Sequence, residues 1–177
     1  MTKTPKSPAN APEPAPVVFE PEFVDGLRNI FDNLVVFNRF LGLKITSIAP
    51  ERVSGRIVMR PELVGHYGYN RAHGGVISAG LDSMGGLAVM AAIGARHMDE
   101  APAQRLMRFT KLGTIDLRVD YLRPGRAETL VATGRVLRVG NRVGVVNIVL
   151  THDGDVEPIA EAKGVYAIKR VISGEKA

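Results

Sequence analysis

The chain has 177 residues, of which 45% are hydrophobic and 23% are charged. This length favours a single domain with a substantial hydrophobic core. The sequence contains no cysteine, which excludes disulfide bonds and thiolate chemistry. The N-terminal lysines are not followed by an apolar stretch, so we expect no signal peptide and a cytoplasmic location.

The net charge of +5 is concentrated in the middle of the chain. Between Arg96 and Arg142 there are ten Lys and Arg residues against five Asp and Glu residues, a difference of +5. Such a segment can bind the phosphates of a nucleotide-like ligand or of a nucleic acid. A solvated basic face of a sheet explains the charge equally well. Because aromatic residues are not interleaved with these arginines, nucleic-acid binding is the weakest of these interpretations.

The N-terminal region divides into two parts. Residues 1–18 are rich in proline and alanine and are expected to form a disordered tail. Residues 19–177 are expected to form one domain that begins with an amphipathic helix over about 22–40, because apolar side chains recur there with the 3.6-residue period. Gly42 ends this pattern.

Six segments have the composition of strands: 43–49, 52–60, 114–121, 128–139, 142–151 and 156–168. Gly140-Asn141 and Asp153-Gly154 are two-residue hairpin signals, and residues 122–126 also have the composition of a turn. The last four strands are therefore predicted to form an antiparallel meander. In the first of them, the apolar residues at positions 115, 117, 119 and 121 are expected to face the core. Residues 96–112 are predicted to be irregular.

The stretch from Gly74 to Ala95 holds one charged residue, Asp82, among apolar and small residues. Its length predicts a buried helix rather than a strand. The central carboxylate, the interspersed glycines and the strands that follow disfavour a membrane span. We predict an α+β fold, in which a curved six-stranded antiparallel sheet wraps around this one long central helix.

One face of this helix carries little side-chain bulk besides a carboxylate. The helical period places five residues on it: Gly75, Ser78, Ala79, Asp82 and Gly86. Close approach of another backbone or a thin ligand explains this face, and tight helix–sheet packing explains its glycines equally well. A buried carboxylate is costly unless it is paired. Asp82 can act as a general base or as a nucleophile, or it can be satisfied by a hydroxyl or amide such as Ser83 or Asn70.

The start of the helix is a second candidate. The backbone N–H groups at Gly74 and Gly75 have no intrahelical partner and can bind an oxyanion, and one such donor is typically worth about 2.7–4 kcal/mol in rate. Gly74 and Asp82 lie about 12 Å apart along one helix, which is too far to act on one carbonyl. If both act on one substrate, they come from two antiparallel helices in different subunits, so at least a homodimer is predicted.

His73 precedes these glycines. It is a candidate proton shuttle, or it fixes the loop by bonding to the backbone. No metal site is predicted, because His66 and His73 lack partners at ligand spacing. The sequence also contains no Gly-x-Ser-x-Gly elbow and no nucleotide-binding glycine loop after a strand.

The motif His73-Gly74-Gly75, followed by Asp82 nine residues after the histidine, resembles the hotdog-fold acyl-CoA thioesterases of the PaaI type. Residues 113–124 and 136–143 are similar to the bacterial YigI-like branch of these enzymes. The resemblance implies a hotdog fold and hydrolysis of acyl-CoA, without a cofactor, since coenzyme A is part of the substrate. It implies a homodimer or homotetramer with no membrane or nucleic-acid partner. A non-catalytic acyl-CoA-binding protein on the same fold is the alternative.

The resemblance also implies roles for individual residues. Gly74 matches the glycine that polarises the thioester carbonyl, and Asp82 matches the acid on the helix. Many members carry Asn or Gln six residues before the histidine, where this chain has Tyr67, so Asn70 is taken as a third catalytic group beside His73. The acyl chain is expected in a tunnel between subunits. The remaining expected substrate contacts are His66, Tyr67, Gly75 and Ser83, with Arg138 and Arg142 for the coenzyme A phosphates.

Overall fold

The computed structural model describes residues 17–108, 112–126 and 128–168. The predicted disordered tail over residues 1–18 therefore lies almost wholly outside the described residues. Three helical segments and a strand pair come first: α1 (Pro21–Asn29), a π-helical turn (Ile30–Leu34), α2 (Val36–Leu41), β1 (Leu43–Ile48) and β2 (Arg52–Val58). A 3-10 turn (Pro61–Leu63), β3 (Val64–His66) and β4 (Arg71–Ala72) then lead to the long helix α3 (Gly74–Ala95). The remaining elements are α4 (Pro102–Met107), β5 (Leu112–Tyr121), β6 (Thr129–Val139), β7 (Val143–His152) and β8 (Pro158–Ile168).

Six strands form one antiparallel sheet in the order β1-β2-β6-β7-β8-β5. All six strands contact α3, and fully buried side chains such as Leu81, Met84 and Leu87 fill the space between helix and sheet. The predicted α+β fold, with a six-stranded antiparallel sheet around one long helix, is confirmed.

Helix α3 has the length and the mean hydropathy, 1.6, of a membrane span. In the fold, however, 72% of its apolar window is buried inside the protein. The apolar surface of α3 is therefore covered by the rest of the protein, and α3 is the core helix of the domain.

The predicted meander of the last four strands is wrong for the first of them. Strands β6, β7 and β8 do follow one another, but β5 pairs with β8 at the sheet edge, while β6 lies between β2 and β7. The segment after β5 is a crossover rather than a hairpin turn, because β8 and β7 lie between β5 and β6 in the sheet. Its backbone makes hydrogen bonds to other parts of the chain. The N–H groups of Leu122 and Arg123 both donate to the Ile159 carbonyl, and the Gly125 carbonyl accepts from Ala72.

The single helix predicted over residues 22–40 is also interrupted. After the π-helical turn, Val35 adopts an extended conformation (φ −74°, ψ 98°) before α2 begins. The break is stabilised by the Asn38 side chain, which donates to the Phe31 carbonyl at 3.2 Å. Phe31 and Leu41, on either side of the break, are both buried in the core.

The segment predicted to be irregular over residues 96–112 contains α4, which fastens α1 to the end of α3. Arg105 of α4 is fully buried. Its guanidinium lies over the Phe23 ring at 4.4 Å, donates to the Gly94 carbonyl at 3.5 Å and pairs with Glu20. This contact with Arg105 lowers the pKa of the Glu20 carboxyl.

Close packing accounts for three of the α3 glycines. A Cβ atom at Gly80 would lie 2.9 Å from Ile57 Cδ1, one at Gly85 would lie 2.1 Å from the Tyr166 hydroxyl, and one at Gly94 would lie 2.2 Å from Phe23 Cζ. Helix–sheet and helix–helix contact therefore explains these three glycines, none of which belongs to the small-residue face predicted from the sequence.

We predict that Gly94→Ala destabilises the protein by about 1–3 kcal/mol, because the new methyl group overlaps the Phe23 ring and overpacks the core. Gly86→Ala in the same helix is the matched control, since its Cβ atom would lie 3.7 Å from the nearest neighbour. The control should be unchanged or up to about 1 kcal/mol more stable, owing to helix propensity. Urea unfolding measures both, and equal stability of the two variants would contradict the packing argument.

Candidate active site

The start of α3 is held by the residue before it. His73 is the N-cap, and its Nδ1 atom accepts the N–H of Gly75 at 2.9 Å. The His73 N–H in turn donates to the Leu63 carbonyl at 2.9 Å. His73 was considered as a proton shuttle or as a residue that bonds to the backbone. The structure shows the second of these, a hydrogen bond to the backbone.

The N–H of Gly74 is the first donor of α3, and it has no hydrogen-bond partner among the described residues. The Gly74 carbonyl accepts from the Tyr121 hydroxyl at 3.1 Å. The Tyr121 ring covers one side of Gly74, where a Cβ atom would lie 3.6 Å away. An unpaired N–H at the positive end of a 22-residue helix is well placed to bind a partial negative charge.

Two hydroxyl groups hold the carboxylate of Asp82. Its Oδ1 atom accepts from Thr114 Oγ1 at 2.9 Å and from the Tyr166 hydroxyl at 3.1 Å. The Tyr166 hydroxyl also lies 2.9 Å from the Asp82 carbonyl, so its single hydrogen is shared between two acceptors. The carboxylate is therefore oriented from the sheet side by one residue of β5 and one of β8.

A β-bulge in β5 aims Thr114 at the helix. Thr114 pairs with Tyr166, but the next paired residue is Asp116 opposite Val165, so Ile115 is the additional residue. The bulge reverses the alternation, which leaves Ile115 59% exposed. The prediction that position 115 faces the core is therefore wrong, whereas Leu117 and Val119 do pack against it. The predicted inward position of Tyr121 is also only partly met, since its ring reaches Gly74 but remains exposed.

Glycines make room for the Tyr166 ring beneath Asp82. A Cβ atom at Gly85 would lie 2.1 Å from the Tyr166 hydroxyl, and one at Gly164 would lie 2.7 Å from the ring. Tyr166 is only 2% exposed. Burial, together with the charge and hydrogen bond of Asp82, raises the pKa of the Tyr166 phenol well above its usual range, so the phenol remains a hydrogen-bond donor.

The other side of Asp82 is open. Its Oδ2 atom accepts no hydrogen bond from any described residue. The small-residue face predicted from the sequence is only partly covered: Gly86 is buried, Ser78, Ala79 and Asp82 are half-buried, and Gly75 is exposed. The adjoining strand β5 pairs on one side only, since it is the last strand of the sheet.

Ser83 and the predicted loop residues lie apart from the Asp82 carboxylate. Ser83 Oγ donates to Asn38 Oδ1 at 2.7 Å, so the structure does not support satisfaction of Asp82 by Ser83. Asn70 does not contact Asp82 either; it lies in the exposed loop with His66 and Tyr67, in the left-handed region with φ of 46°. The catalytic role of Asn70 and the substrate-binding roles of Ser83, His66 and Tyr67 stay predictions.

Arg138 and Arg142 flank the β6–β7 turn, which lies at the far end of α3. Arg96, directly after α3, donates to the Val139 carbonyl in this turn. Asp82 is 13 residues before the end of α3, or about 20 Å along the axis. Within one protomer these arginines are thus distant from Asp82 and Gly74, and their proposed contact with phosphates stays a prediction.

Sequence reasoning missed three residues of this site: Thr114, Tyr121 and Tyr166. A buried tyrosine needs a partner for its hydroxyl, and the alternating strand in which the small residues Ala162 and Gly164 precede Tyr166 on one face was a usable signal for it. Thr114 carried no such signal, because its direction depends on the bulge. Within the described ranges, no group of three or more His, Cys, Asp or Glu side chains is arranged to hold a metal ion.

Comparison with known proteins identifies the family. Residues 69–159 match the family model described as the thioesterase superfamily. Over 132 residues, the chain is 38% identical to the medium/long-chain acyl-CoA thioesterase YigI of Escherichia coli (strain K12), a match that covers 75% of this chain and 84% of YigI. The chain belongs to the thioesterase superfamily. The predicted family and the predicted enzyme class, a thioester hydrolase, are confirmed by this membership.

Solved structures of thioesterase superfamily proteins show the same architecture. A Shewanella oneidensis protein related to the superfamily aligns with a TM-score of 0.78 and 38% identity, covering 84% of this chain and 96% of that chain. Zebrafish thioesterase superfamily member 2 aligns with a TM-score of 0.65 and 18% identity, covering 82% of this chain and 98% of that chain. At that lower identity the likeness concerns the fold alone, and the expected hotdog fold is confirmed.

We predict that Tyr166 makes the protein sensitive to alkali. Its phenol keeps its proton in the folded state, whereas an unfolded tyrosine ionises near pH 10, so the contribution of Tyr166 to stability is lost as the pH rises above about 10. Tyr166→Phe should be less stable than wild type by about 1–3 kcal/mol at neutral pH, and the difference should shrink above pH 10. Urea unfolding across this pH range measures it.

Tyr67→Phe serves as the control for this titration. The Tyr67 ring is 99% exposed, so the variant should follow the wild-type stability curve at every pH. An alkaline loss in Tyr166→Phe as steep as that of the wild type would contradict the assignment.

Proposed function

We propose that this protein hydrolyses the thioester bond of acyl-CoA at a site completed by two copies of the chain. The observation that carries the proposal is the half-bonded carboxylate of Asp82, whose Oδ1 atom is held by Thr114 and Tyr166 while Oδ2 accepts no hydrogen bond from a described residue. The similarity to YigI supports an acyl chain of medium or long length.

The Gly74 N–H is proposed to bind the carbonyl oxygen of the thioester. Attack on the carbonyl carbon moves negative charge onto that oxygen, and a donor at the helix N-terminus stabilises the charge as it develops. Because Tyr121 covers the opposite side of Gly74, the carbonyl approaches from the open side. His73 positions this donor by capping the helix.

Asp82 can act through Oδ2 in two ways, both of which consume one water molecule. As a general base, it takes a proton from water as the water oxygen attacks the carbonyl carbon. The C–S bond then breaks, and the thiolate of coenzyme A receives that proton. As a nucleophile, Asp82 displaces the thiolate to form a mixed anhydride, which water then hydrolyses. Either route releases the free carboxylic acid and coenzyme A.

A second copy is needed because the two groups are too far apart in one. Gly74 and Asp82 lie on the same continuous helix, about 12 Å apart. The open face of α3 adjoins β5, an edge strand of ten residues that exposes the apolar side chain of Ile115. Unpaired strand edges favour pairing with another strand. We propose that a twofold-related copy covers this surface and brings its Gly74 to Asp82, in a homodimer or homotetramer.

The first test is hydrolysis of a panel of acyl-CoA substrates. Asp82→Asn should reduce kcat at least about 100-fold, because it removes the basic oxygen. Gly74→Pro should reduce kcat about 100- to 1,000-fold, since proline deletes only the N–H at the first helical position, where its ring is tolerated. The extended backbone of His73 (φ −65°, ψ 138°) already suits a following proline.

Gly74→Ala is the control for the proline variant, because it keeps the N–H and adds a methyl group at an ordinary distance from Tyr121. It should retain most of the activity. Full activity in Asp82→Asn, or equal activity in the proline and alanine variants, would contradict the proposed mechanism.

The second test mixes two inactive variants. In a dimer of one Asp82→Asn chain with one Gly74→Pro chain, one site carries both defects and the other carries neither. After unfolding and joint refolding in equal amounts, half of the dimers are mixed, so about one quarter of the wild-type activity should return. Light scattering confirms assembly. No recovery in a mixture that forms dimers would show that each site lies within one chain.

A further inference from the structure

A cluster of two arginines around one tyrosine lies in the loop region before α3. The guanidinium of Arg71 lies over the Tyr69 ring at 4.8 Å, and that of Arg126 lies 6.0 Å from the same ring. Tyr69 is 58% exposed. Arg126 belongs to the basic segment between Arg96 and Arg142, whereas Tyr69 and Arg71 lie outside it.

Two distant segments meet to form this cluster. The Ala72 N–H donates to the Gly125 carbonyl at 2.8 Å, so the neighbouring residues Arg71 and Arg126 come together although 55 positions separate them. Gly125 permits the approach, since a Cβ atom there would lie 3.3 Å from the Ala72 Cβ atom and 3.2 Å from Ile159. The cluster is therefore fixed by buried backbone rather than by the loop alone.

The charges of the two arginines are not neutralised nearby. Among the described residues, neither Arg71 nor Arg126 forms an ion pair with a carboxylate, and the Nε atom of Arg71 is buried without a hydrogen-bond partner. Arg126 lines a cleft of about 430 Å³ together with Arg60, Asn70 and Glu128. Arg60 is already paired with Glu62 at 3.3 Å, and Glu128 balances the charge of Arg126 in the lining. Arg71, which follows the lining residue Asn70 in the chain, therefore leaves the region with a net positive charge.

The stacking contact leaves the arginines able to bind an anion. A guanidinium over an aromatic ring uses its flat face, while its N–H groups lie at the edge and remain available. Two such groups side by side match the paired oxygens of a phosphate. Tyr69 thus restricts the guanidinium groups without consuming their donors.

We propose that Arg71 and Arg126 bind the phosphate groups of coenzyme A, with Tyr69 as the residue that positions them; this rests on the proposed function. Arg71 is three residues before Gly74, a span of at most about 11 Å of chain. The phosphates of coenzyme A are separated from the thioester by the uncharged pantetheine arm. A substrate whose carbonyl oxygen reaches the Gly74 N–H can therefore extend this arm along the loop to the arginines.

Calorimetric titration with coenzyme A and with pantetheine, which lacks the phosphates, tests the proposal without turnover. Wild type should bind coenzyme A more tightly than pantetheine. The double variant Arg71→Gln with Arg126→Gln should lose about 10-fold in affinity for coenzyme A per arginine, with pantetheine binding unchanged. Tyr69→Leu should show a smaller loss, confined to coenzyme A.

The matched control is Arg52→Gln with Arg135→Gln. These arginines also lie side by side, paired across β2 and β6, and both are exposed, so the control removes the same charge elsewhere and should bind coenzyme A like the wild type. Equal losses in the two double variants would mean that net charge alone attracts the ligand. Equal wild-type affinity for coenzyme A and pantetheine, or a parallel loss of both in the Arg71 and Arg126 variant, would overturn the proposal.

Kinetics separate this inference from the proposed function. With acyl-CoA, the Arg71 and Arg126 variant should raise KM with little change in kcat, whereas with an acyl-pantetheine thioester it should match the wild type. Coenzyme A binding that depends on these arginines, in a protein that hydrolyses neither substrate, would refute the hydrolytic function and leave the phosphate site standing. Hydrolysis with an unchanged KM would refute the phosphate site alone.

Discussion

The carboxylate of Asp82 is the one constraint that the rest of the structure accommodates. It stands on the core helix of the domain, in a segment with no other charge from Gly74 to Ala95. Removing a carboxylate from water is costly unless hydrogen bonds replace the lost hydration. Thr114 and Tyr166 supply those bonds from the sheet, and both act on the same oxygen. The other oxygen, Oδ2, accepts no hydrogen bond from a described residue.

Several irregular features of the fold serve this arrangement. The bulge at Ile115 turns the Thr114 hydroxyl toward the helix. Glycines at positions 85 and 164 admit the Tyr166 ring between helix and sheet. Each feature weakens a helix or strand locally, since glycine lowers helix stability and a bulge interrupts the ladder. Their common result is a carboxylate with one side fixed and one side open.

The sequence was sufficient to predict the fold and to place Gly74 at the start and Asp82 in the middle of the long helix, because these features depend on local patterns. The apolar run predicted α3, and its single charge singled out Asp82. What surrounds Asp82 depends on long-range register, which a single sequence does not reveal. The strict two-residue period predicted that Ile115 faces the core. Because β5 contains one additional residue at the bulge, Thr114 faces the helix instead. The position of β5 beside β8 was missed for a similar reason, since Leu122, Arg123 and Gly125 bond to distant parts of the chain rather than closing a hairpin.

The edge position of β5 links the carboxylate to the outside of the molecule. Thr114 belongs to a strand that has a neighbour on one side only, so its hydroxyl is held by an edge of the sheet. Outer strands fray more readily than inner ones. Any molecule that pairs with this strand would reduce its fraying and so stabilise the hydrogen bond from Thr114 to Asp82. The order of the Asp82 carboxylate therefore depends partly on what lies along the edge of the sheet. If the proposed second copy lies there, dissociation of the dimer on dilution would loosen a side chain of the core helix.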